Sequence, residues 1–280
     1  MESTNNNNVQ LLAALVDADD QVEDGEYRFL VDGTHVKYVT VEPGILPEEH
    51  RTFGPLVLAS LPPFPPGDWN TGHVSRDSNA AGHGGEQLAF VRTEKVHLAR
   101  VENIWYPTRF DHLEFTKLER LRQNIHIVSH PDFDHPVVVK FTEFPWQTPY
   151  LEAETAAYEW IEGHDMGPRF LGHLTEEGRV FGFVVEYISN VRPAGPEDLQ
   201  ACREVLGRLH GLGIKHGDIN KNNFLMRRDG GCVLIDFETA TKDASEEDMQ
   251  EEMRRLGESL ADPSKRGWVP PVDLGERKGE

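Results

Sequence analysis

The chain has 280 residues, and its 48 acidic residues outnumber its 28 lysines and arginines, which gives a formal net charge of −20. Hydrophobic residues make up 38% of the chain, which is enough to bury a substantial core and excludes a wholly disordered polymer. So acidic a surface repels phosphate backbones and anionic lipids, and we therefore expect neither a nucleic acid nor a membrane as a partner.

The N-terminal region is patterned but irregular. The first dozen residues show almost no hydrophobic periodicity and predict a disordered tip. Clusters of β-forming residues at 27–30 and 36–41 predict short strands. Four prolines between 62 and 66 predict a stiff connecting segment. We therefore predict a β-rich, irregular extension over residues 1–112, to which the sequence assigns no chemistry.

From residue 113 onward, longer helical periods alternate with compact apolar strands, as in a mixed α and β domain. Start and stop residues such as Pro149 and Gly163 support these elements. We predict helices at 113–121, 150–162, 196–212 and 246–260, strands at 125–128 and 137–141, and a hairpin formed by 170–174 and 180–188.

The two cysteines of the chain, Cys202 and Cys232, are too few for a disulfide framework. We expect both to be small buried thiols without nucleophilic chemistry. The apolar run at 11–16 lacks the basic residues and the length of a signal peptide or a membrane span. These features predict a cytoplasmic protein, and they do not define its oligomeric state.

One short stretch carries the strongest chemical signal. Asp218 lies five residues before Asn223 and 18 residues before Asp236, which follows an apolar strand. A phosphoryl-transfer site needs a carboxylate that orients the attacking hydroxyl, together with oxygen ligands for magnesium. This spacing supplies all three groups.

These residues resemble the catalytic core of the protein-kinase-like superfamily, which includes protein kinases and small-molecule kinases. The pattern H-x-D-x-x-x-x-N is matched by His216, Asp218 and Asn223, and the first two residues of D-F-G are matched by Asp236 and Phe237. The resemblance implies that Asp218 is the catalytic base and that Asn223 and Asp236 hold magnesium. The His-Gly-Asp form is typical of small-molecule and atypical kinases. The sequence around Asp218 and Asp236 also resembles kinase-like proteins of filamentous fungi.

The same family has a strand lysine that orders the ATP phosphates and a helix glutamate that holds this lysine. Lys140 lies inside an apolar strand, where its ammonium group needs an anionic partner. Glu154 shares one helical face with Leu151 and Tyr158, because these residues lie three and four positions away. We therefore predict an ion pair between Lys140 and Glu154.

Two further nucleotide contacts follow from the resemblance. The run 183–188 is similar to the strand and hinge that bind adenine, which places Glu186 at the nucleotide. Lys221 either points to the transferred phosphate or is a turn residue of the loop, and the sequence leaves both readings open. His216 is expected to brace the loop through hydrogen bonds rather than to carry a proton.

The resemblance implies an α+β, two-lobed kinase-like fold with a reduced C-terminal lobe. The kinase-like domain would span 113–280, with an N-terminal lobe at 113–188, a C-terminal lobe at 189–262 and a loose tail to residue 280. The implied activity is ATP- and Mg²⁺-dependent phosphoryl transfer to a hydroxyl of a small molecule or of an unusual protein target.

The sequence also departs from the family pattern. No G-x-G-x-x-G precedes Lys140, Glu238 replaces the glycine of D-F-G, and no A-P-E sequence follows. Two alternatives therefore stay open. One is a pseudokinase that serves as an interaction module, and the other is a kinase-fold enzyme diverted to another transfer, such as formation of an amide or ester bond.

Overall fold

The computed structural model describes residues 6–17, 22–77, 87–264 and 267, and it confirms the α+β class. The chain forms two compact units, Met1–Ala99 and Arg100–Glu280. The expected boundary at residue 112 falls inside the second unit, because residues 100–112 join that unit's sheet: the Val101 amide donates to the Val180 carbonyl at 2.9 Å. Among the described residues, no helix has both the length and the apolar character needed to cross a membrane.

The first unit is a five-stranded sheet with one helix. Its elements are β1 (Val9–Leu15), β2 (Gly25–Val31), β3 (His35–Val41), α1 (Gly54–Ser60), β4 (Thr71–Arg76) and β5 (Leu88–Glu94). The strands are ordered by number, and all neighbours are antiparallel except β3 and β4, which are parallel. Because α1 lies between β3 and β4 in sequence, it supplies the crossover that a parallel pair requires.

The strands predicted at 27–30 and 36–41 are confirmed as parts of β2 and β3. The disordered tip is wrong from Val9 onward, because β1 begins there and buries Val9 and Ala13. A bulge between Leu11 and Ala13 shifts the register of β1 against β2. This extra residue breaks the alternation by which a strand is recognised in a sequence.

The second unit contains a six-stranded sheet and the helix α2. These elements are β6 (Arg109–Asp111), β7 (Thr116–Arg122), β8 (Ile125–Ser129), β9 (Val137–Phe141), α2 (Thr148–Trp160), β10 (Phe170–Glu176) and β11 (Arg179–Glu186). The sheet order is β6-β10-β11-β9-β8-β7, and every neighbouring pair is antiparallel except β6 and β10. The predicted strands at 125–128 and 137–141, the hairpin and the helix at 150–162 are confirmed.

The predicted helix at 113–121 is wrong. His112–Glu114 form a single 3-10 turn, and β7 follows and pairs with β8. Two register shifts, at Lys117/Glu119 and at Arg120/Arg122, interrupt the strand. Each shift interrupts the alternation of side chains between the two faces of the sheet. The apolar residues of β7 therefore lack the two-residue period of a regular strand.

The remainder of the second unit is built around two helices. Its elements are β12 (Arg192–Pro193), α3 (Leu199–Gly211), β13 (Ile214–Lys215), β14 (Phe224–Met226), β15 (Cys232–Leu234), β16 (Thr241–Lys242) and α4 (Glu246–Ala261). A 3-10 turn at Pro196–Asp198 precedes α3, and the Ser245 hydroxyl caps α4 by accepting from the Asp248 amide. The predicted loose tail lies mostly outside the described residues.

A single apolar core joins α2, β10 and β11 to α3 and α4. Phe237 lies in this core without solvent exposure, with its ring 5.5 Å from that of Tyr158 and 5.2 Å from that of His216. Since Tyr158 of α2 and His216 of the loop after β13 both pack on this ring, which the segment after β15 carries, the core fixes the polar residues of these three elements.

Candidate functional site

Lys140 is the centre of a cluster of charged side chains, here called the Lys140 cluster, which also contains Glu154, Asp236 and Glu238. The Lys140 Nζ atom lies 2.6 Å from Glu154 Oε2, 2.8 Å from Asp236 Oδ1 and 2.9 Å from Glu238 Oε1. Lys140 comes from β9, Glu154 from α2, and the other two acids from the segment after β15. Lys140 and Glu154 are buried, whereas Asp236 and Glu238 keep side-chain exposures of 23% and 38%. The cluster is therefore closed on one side and reachable from the other.

The sheet holds Lys140 tightly in place. Strands β9 and β11 pair with Phe183 opposite Lys140. A Cβ added at the neighbouring Gly182 would lie 2.7 Å from the Lys140 carbonyl oxygen. Only glycine allows the backbones to approach this closely.

Burial and ion pairing oppose each other in this cluster. Burial by itself lowers the pKa of Lys140, but the carboxylates of Glu154, Asp236 and Glu238 outweigh it and hold this pKa above its ordinary value. Burial raises the pKa of Glu154 to about 7, against the attraction of Lys140. Burial also opposes ionisation of Asp236, yet Lys140, with Arg122 adding a smaller attraction, keeps the pKa of Asp236 below its ordinary value. For Glu154, the effect of burial on the pKa is therefore larger than the effect of the ion pair with Lys140.

The backbone at Asp236 is itself unusual. Asp236 has a φ of +65°, a left-handed conformation that costs a non-glycine residue energy. The next residue, Phe237, is fully buried, and its amide donates to Glu154 Oε1 at 3.3 Å. Glu154 therefore binds both the lysine and the segment that carries Asp236.

A second group of residues, here called the Asp218 loop, spans residues 216–223 between β13 and β14. The Asn223 side-chain amide donates to the Asp218 carbonyl at 2.9 Å and to Asp218 Oδ2 at 3.3 Å. The Asn220 side-chain amide donates to the same Oδ2 at 3.0 Å. Two side-chain amides thus orient a carboxylate that stays partly exposed.

His216 holds this loop against the segment that carries Asp236. Its Nε2 atom lies 3.1 Å from the Ile235 carbonyl oxygen, and the Asp218 amide donates to its Nδ1 at 3.3 Å. Burial, which outweighs nearby carboxylates, lowers the pKa of His216. These contacts assign a neutral ring that donates through Nε2 and accepts through Nδ1, which is the bracing arrangement expected from the sequence.

The Asp218 loop and the Lys140 cluster are direct neighbours. The Ile235 amide donates to the Asn223 carbonyl at 3.0 Å, and Ile235 immediately precedes Asp236. Together with the His216 contact, this bond places both groups on one continuous polar region. The five residues Lys140, Glu154, Asp218, Asn223 and Asp236 are therefore brought to one part of the second unit.

Glu252, a buried residue of α4, binds the Asp218 loop, and the sequence analysis did not predict this contact. Its Oε2 accepts from the His216 amide at 3.0 Å and lies 2.9 Å from His210 Nε2, and its Oε1 accepts from the Gly217 amide at 2.7 Å. Burial raises the pKa of this carboxyl, but the donors His210, Gly217 and His216 together lower it below the ordinary value. A sequence signal existed, because Glu252 lies four residues before the buried Leu256 and so occupies an apolar face.

Two further residues, Glu186 and Lys221, were candidates for contacts with the nucleotide. Glu186 is exposed at the end of β11, and its amide donates to the Arg169 carbonyl at 2.9 Å. The Lys221 ammonium donates to the Asp262 carbonyl beyond α4. The structure joins neither side chain to the Lys140 cluster by a described contact.

Arg122 was also missed by the sequence reasoning. It ends β7, just before the short turn to β8, in the part of the chain upstream of Lys140 that lacks a glycine-rich motif. Its charge contributes to the lowered pKa of Asp236, and its Nη2 atom donates to the Gly267 carbonyl at 2.9 Å. The hairpin of β7 and β8 therefore brings a guanidinium group, rather than glycine amides, toward the cluster.

Parts of the chain match a known protein family and a named protein. The model of the Lipopolysaccharide kinase (Kdo/WaaP) family matches residues 194–270, which include α3, the Asp218 loop, Asp236 and α4. A probable bifunctional tRNA threonylcarbamoyladenosine biosynthesis protein of Methanoculleus marisnigri is 44% identical over 63 residues, 22% of this chain and 11% of that protein. The chain therefore matches only a small part of that relative. These findings confirm the likeness to atypical members of the protein-kinase-like superfamily.

Proposed function

We propose that the chain is an ATP- and Mg²⁺-dependent phosphotransferase whose second unit is a two-lobed kinase-like domain. The sheet of β6–β11 with α2 would be the N-terminal lobe, and the elements from β12 to α4 would be the reduced C-terminal lobe. One observation carries the proposal: Lys140 is held by Glu154 and Asp236, and the Asp218 loop is hydrogen-bonded to the residue before Asp236. A phosphoryl-transfer site needs these groups side by side.

The acidic residues suit a magnesium ion. Glu154, Asp236 and Glu238 offer carboxylate oxygens that all lie within 4.8 Å of one another. Oxygen ligands of this kind are those that Mg²⁺ prefers in proteins. Of these three residues, Asp236 would hold the ion together with the amide oxygen of Asn223, while Glu154 stays paired with Lys140. Magnesium, when bound, would offset the negative charge of the phosphates.

Each residue then has a defined task. Lys140 would bind the α- and β-phosphates, in exchange for part of its present carboxylate contacts, while Glu154 keeps it in position. Asp218 would orient the acceptor hydroxyl and take its proton as the oxygen attacks the γ-phosphorus and ADP leaves. Asn220 and Asn223 fix the Asp218 carboxylate for this step. The backbone at Glu186 would contact the adenine.

One observation favours a non-protein hydroxyl compound as the acceptor. The matched family is named for kinases of lipopolysaccharide, which carries sugar hydroxyls and is not a protein. An unusual protein acceptor is the less favoured form of the same proposal.

Transfer from γ-labelled ATP to a pool of small metabolites tests the function. We expect label in an acceptor and release of ADP with wild type, and both at rates lower by about 10²-fold or more with Asp218→Asn. Asp229→Asn, a change of an exposed turn residue, should behave as wild type. Release of AMP would instead indicate activation of a carboxylate, and absence of any nucleotide turnover would indicate an interaction module.

A further inference from the structure

The two cysteines of the chain meet in the second unit. Cys202 lies on α3 and Cys232 begins β15, 30 residues later in the sequence. Their Sγ atoms are 3.9 Å apart, and both thiols are free. The sequence suggested two separate buried thiols, whereas the fold places both sulfur atoms in contact.

The two thiols differ in exposure. Cys202 has no solvent exposure, whereas Cys232 is half-buried. The two sulfur atoms share one hydrogen bond, in which either thiol can be the donor. Because Cys232 is the thiol that solvent reaches, an external reagent would react first at Cys232.

We propose that Cys202 and Cys232 form a reversible oxidation site, at which a small disulfide such as oxidised glutathione converts the two thiols into one intramolecular disulfide. The Cys232 thiolate attacks one sulfur of oxidised glutathione, the glutathione disulfide bond breaks, and the first glutathione leaves and takes up the proton that Cys232 gave up. The Cys202 sulfur, after losing its proton, then attacks the Cys232 sulfur and releases the second glutathione. The two protein sulfurs are oxidised together by two electrons, which reduce one oxidised glutathione to two thiols.

The surroundings allow the required movement. The sulfur atoms must approach from 3.9 Å to about 2.0 Å, the length of a disulfide bond. Cys232 follows an exposed turn that contains Gly230 and Gly231, so the start of β15 is the side that can move. Cys202 lies on a helix packed into the apolar core and is the fixed side. The bond would tie α3 to the strand that leads into Asp236.

Intact mass spectrometry of the reduced, full-length protein incubated with oxidised glutathione tests the site without any assay of phosphoryl transfer. Wild type should lose the mass of two hydrogen atoms, carry no glutathione, and return to its first mass after treatment with dithiothreitol. Cys202→Ser should accumulate one glutathione on Cys232. Cys232→Ser should react at least about tenfold more slowly, since Cys202 is buried.

Two results would overturn the proposal. One is wild-type protein that accumulates a glutathione adduct without forming the internal bond. The other is a Cys232→Ser variant that reacts as fast as Cys202→Ser. The wild-type measurement needs no variant, so it decides the question even if a serine substitution disturbs folding. Both variants denatured in urea give the reference rate for a fully exposed cysteine.

Discussion

The Lys140 cluster and the Asp218 loop lie side by side but are held by different forces. In the cluster, one ammonium group contacts three carboxylates between 2.6 and 2.9 Å away. In the loop, Asp218 is fixed by side-chain amides, and the backbone is fixed by His216 and Glu252. Charge pairs depend on pH and can be exchanged for phosphate oxygens, whereas a loop held by buried hydrogen bonds keeps its shape.

The comparison separates two tasks within one site. Under the proposed function, the charges of the cluster would change partners when a nucleotide enters, and the cluster should control nucleotide binding. The loop has a preset geometry, and it should control the transfer step. Variants in the two regions should therefore differ in which measured quantity they change.

The largest expected effect is on the loop. Asp218→Asn should lower the rate of phosphoryl transfer about 10²- to 10⁴-fold, because the amide cannot accept the proton of the acceptor. Binding of MgATP, measured by calorimetry, should stay within about twofold of wild type. Asp229→Asn is the control, and a variant that lost binding and rate together would place Asp218 in the nucleotide site instead.

The corresponding change in the cluster is Lys140→Met. We expect weaker binding of MgATP, measured by calorimetry, and with it a loss of about 10²-fold or more in transfer, because one group that binds the phosphates is removed. The free energy of unfolding should also fall by about 3 kcal/mol, since Glu154 keeps a buried carboxylate without its ammonium partner. Lys117→Met changes an exposed lysine of β7 and should alter none of these quantities. An unchanged affinity for MgATP would contradict the division of tasks.

Glu252→Ala tests the support of the loop from α4. The substitution leaves the amides of His216 and Gly217 without their buried acceptor, and we expect the free energy of unfolding to fall by about 2–3 kcal/mol. Urea denaturation measures this change, and Glu258→Ala is the exposed control on the same helix. Equal stability of both variants would show that α4 does not hold the loop.

The smallest expected effect is the response of the cluster to pH. As pH falls through about 7, Glu154 gains a proton and loses its attraction for Lys140, so phosphoryl transfer should fall a few-fold. The free energy of unfolding should change in the opposite direction. The pKa of Glu154 in the folded state lies above its unfolded value, so the folded state binds this proton more tightly. The stability that this proton contributes is complete below the unfolded pKa and is lost as pH rises through about 7. In Glu154→Gln both responses should be weaker, and an unaltered pH profile of the rate would contradict this assignment.

Local patterns in the sequence predicted much of the site's geometry. Lys140 and Glu154 stand out because an apolar strand and a helical face each contain one charged residue, and both periods are local. The contact between Glu252 and the Asp218 loop joins residues 36 positions apart, so only the fold could define it. The bulges in β1 and β7 hid those strands, since a shifted register removes the two-residue period.

The central claim is that the Lys140 cluster and the Asp218 loop form one MgATP site. Thermal unfolding of wild type with ATP, in the presence of magnesium or of a chelator, tests it most directly. We expect the midpoint to rise with ATP and magnesium together, to rise less with the chelator, and to rise in Asp236→Asn no more than in wild type with the chelator, while Asp229→Asn behaves as wild type. A wild-type midpoint that ATP and magnesium leave unchanged, or a rise that Asp236→Asn retains in full, would contradict the account.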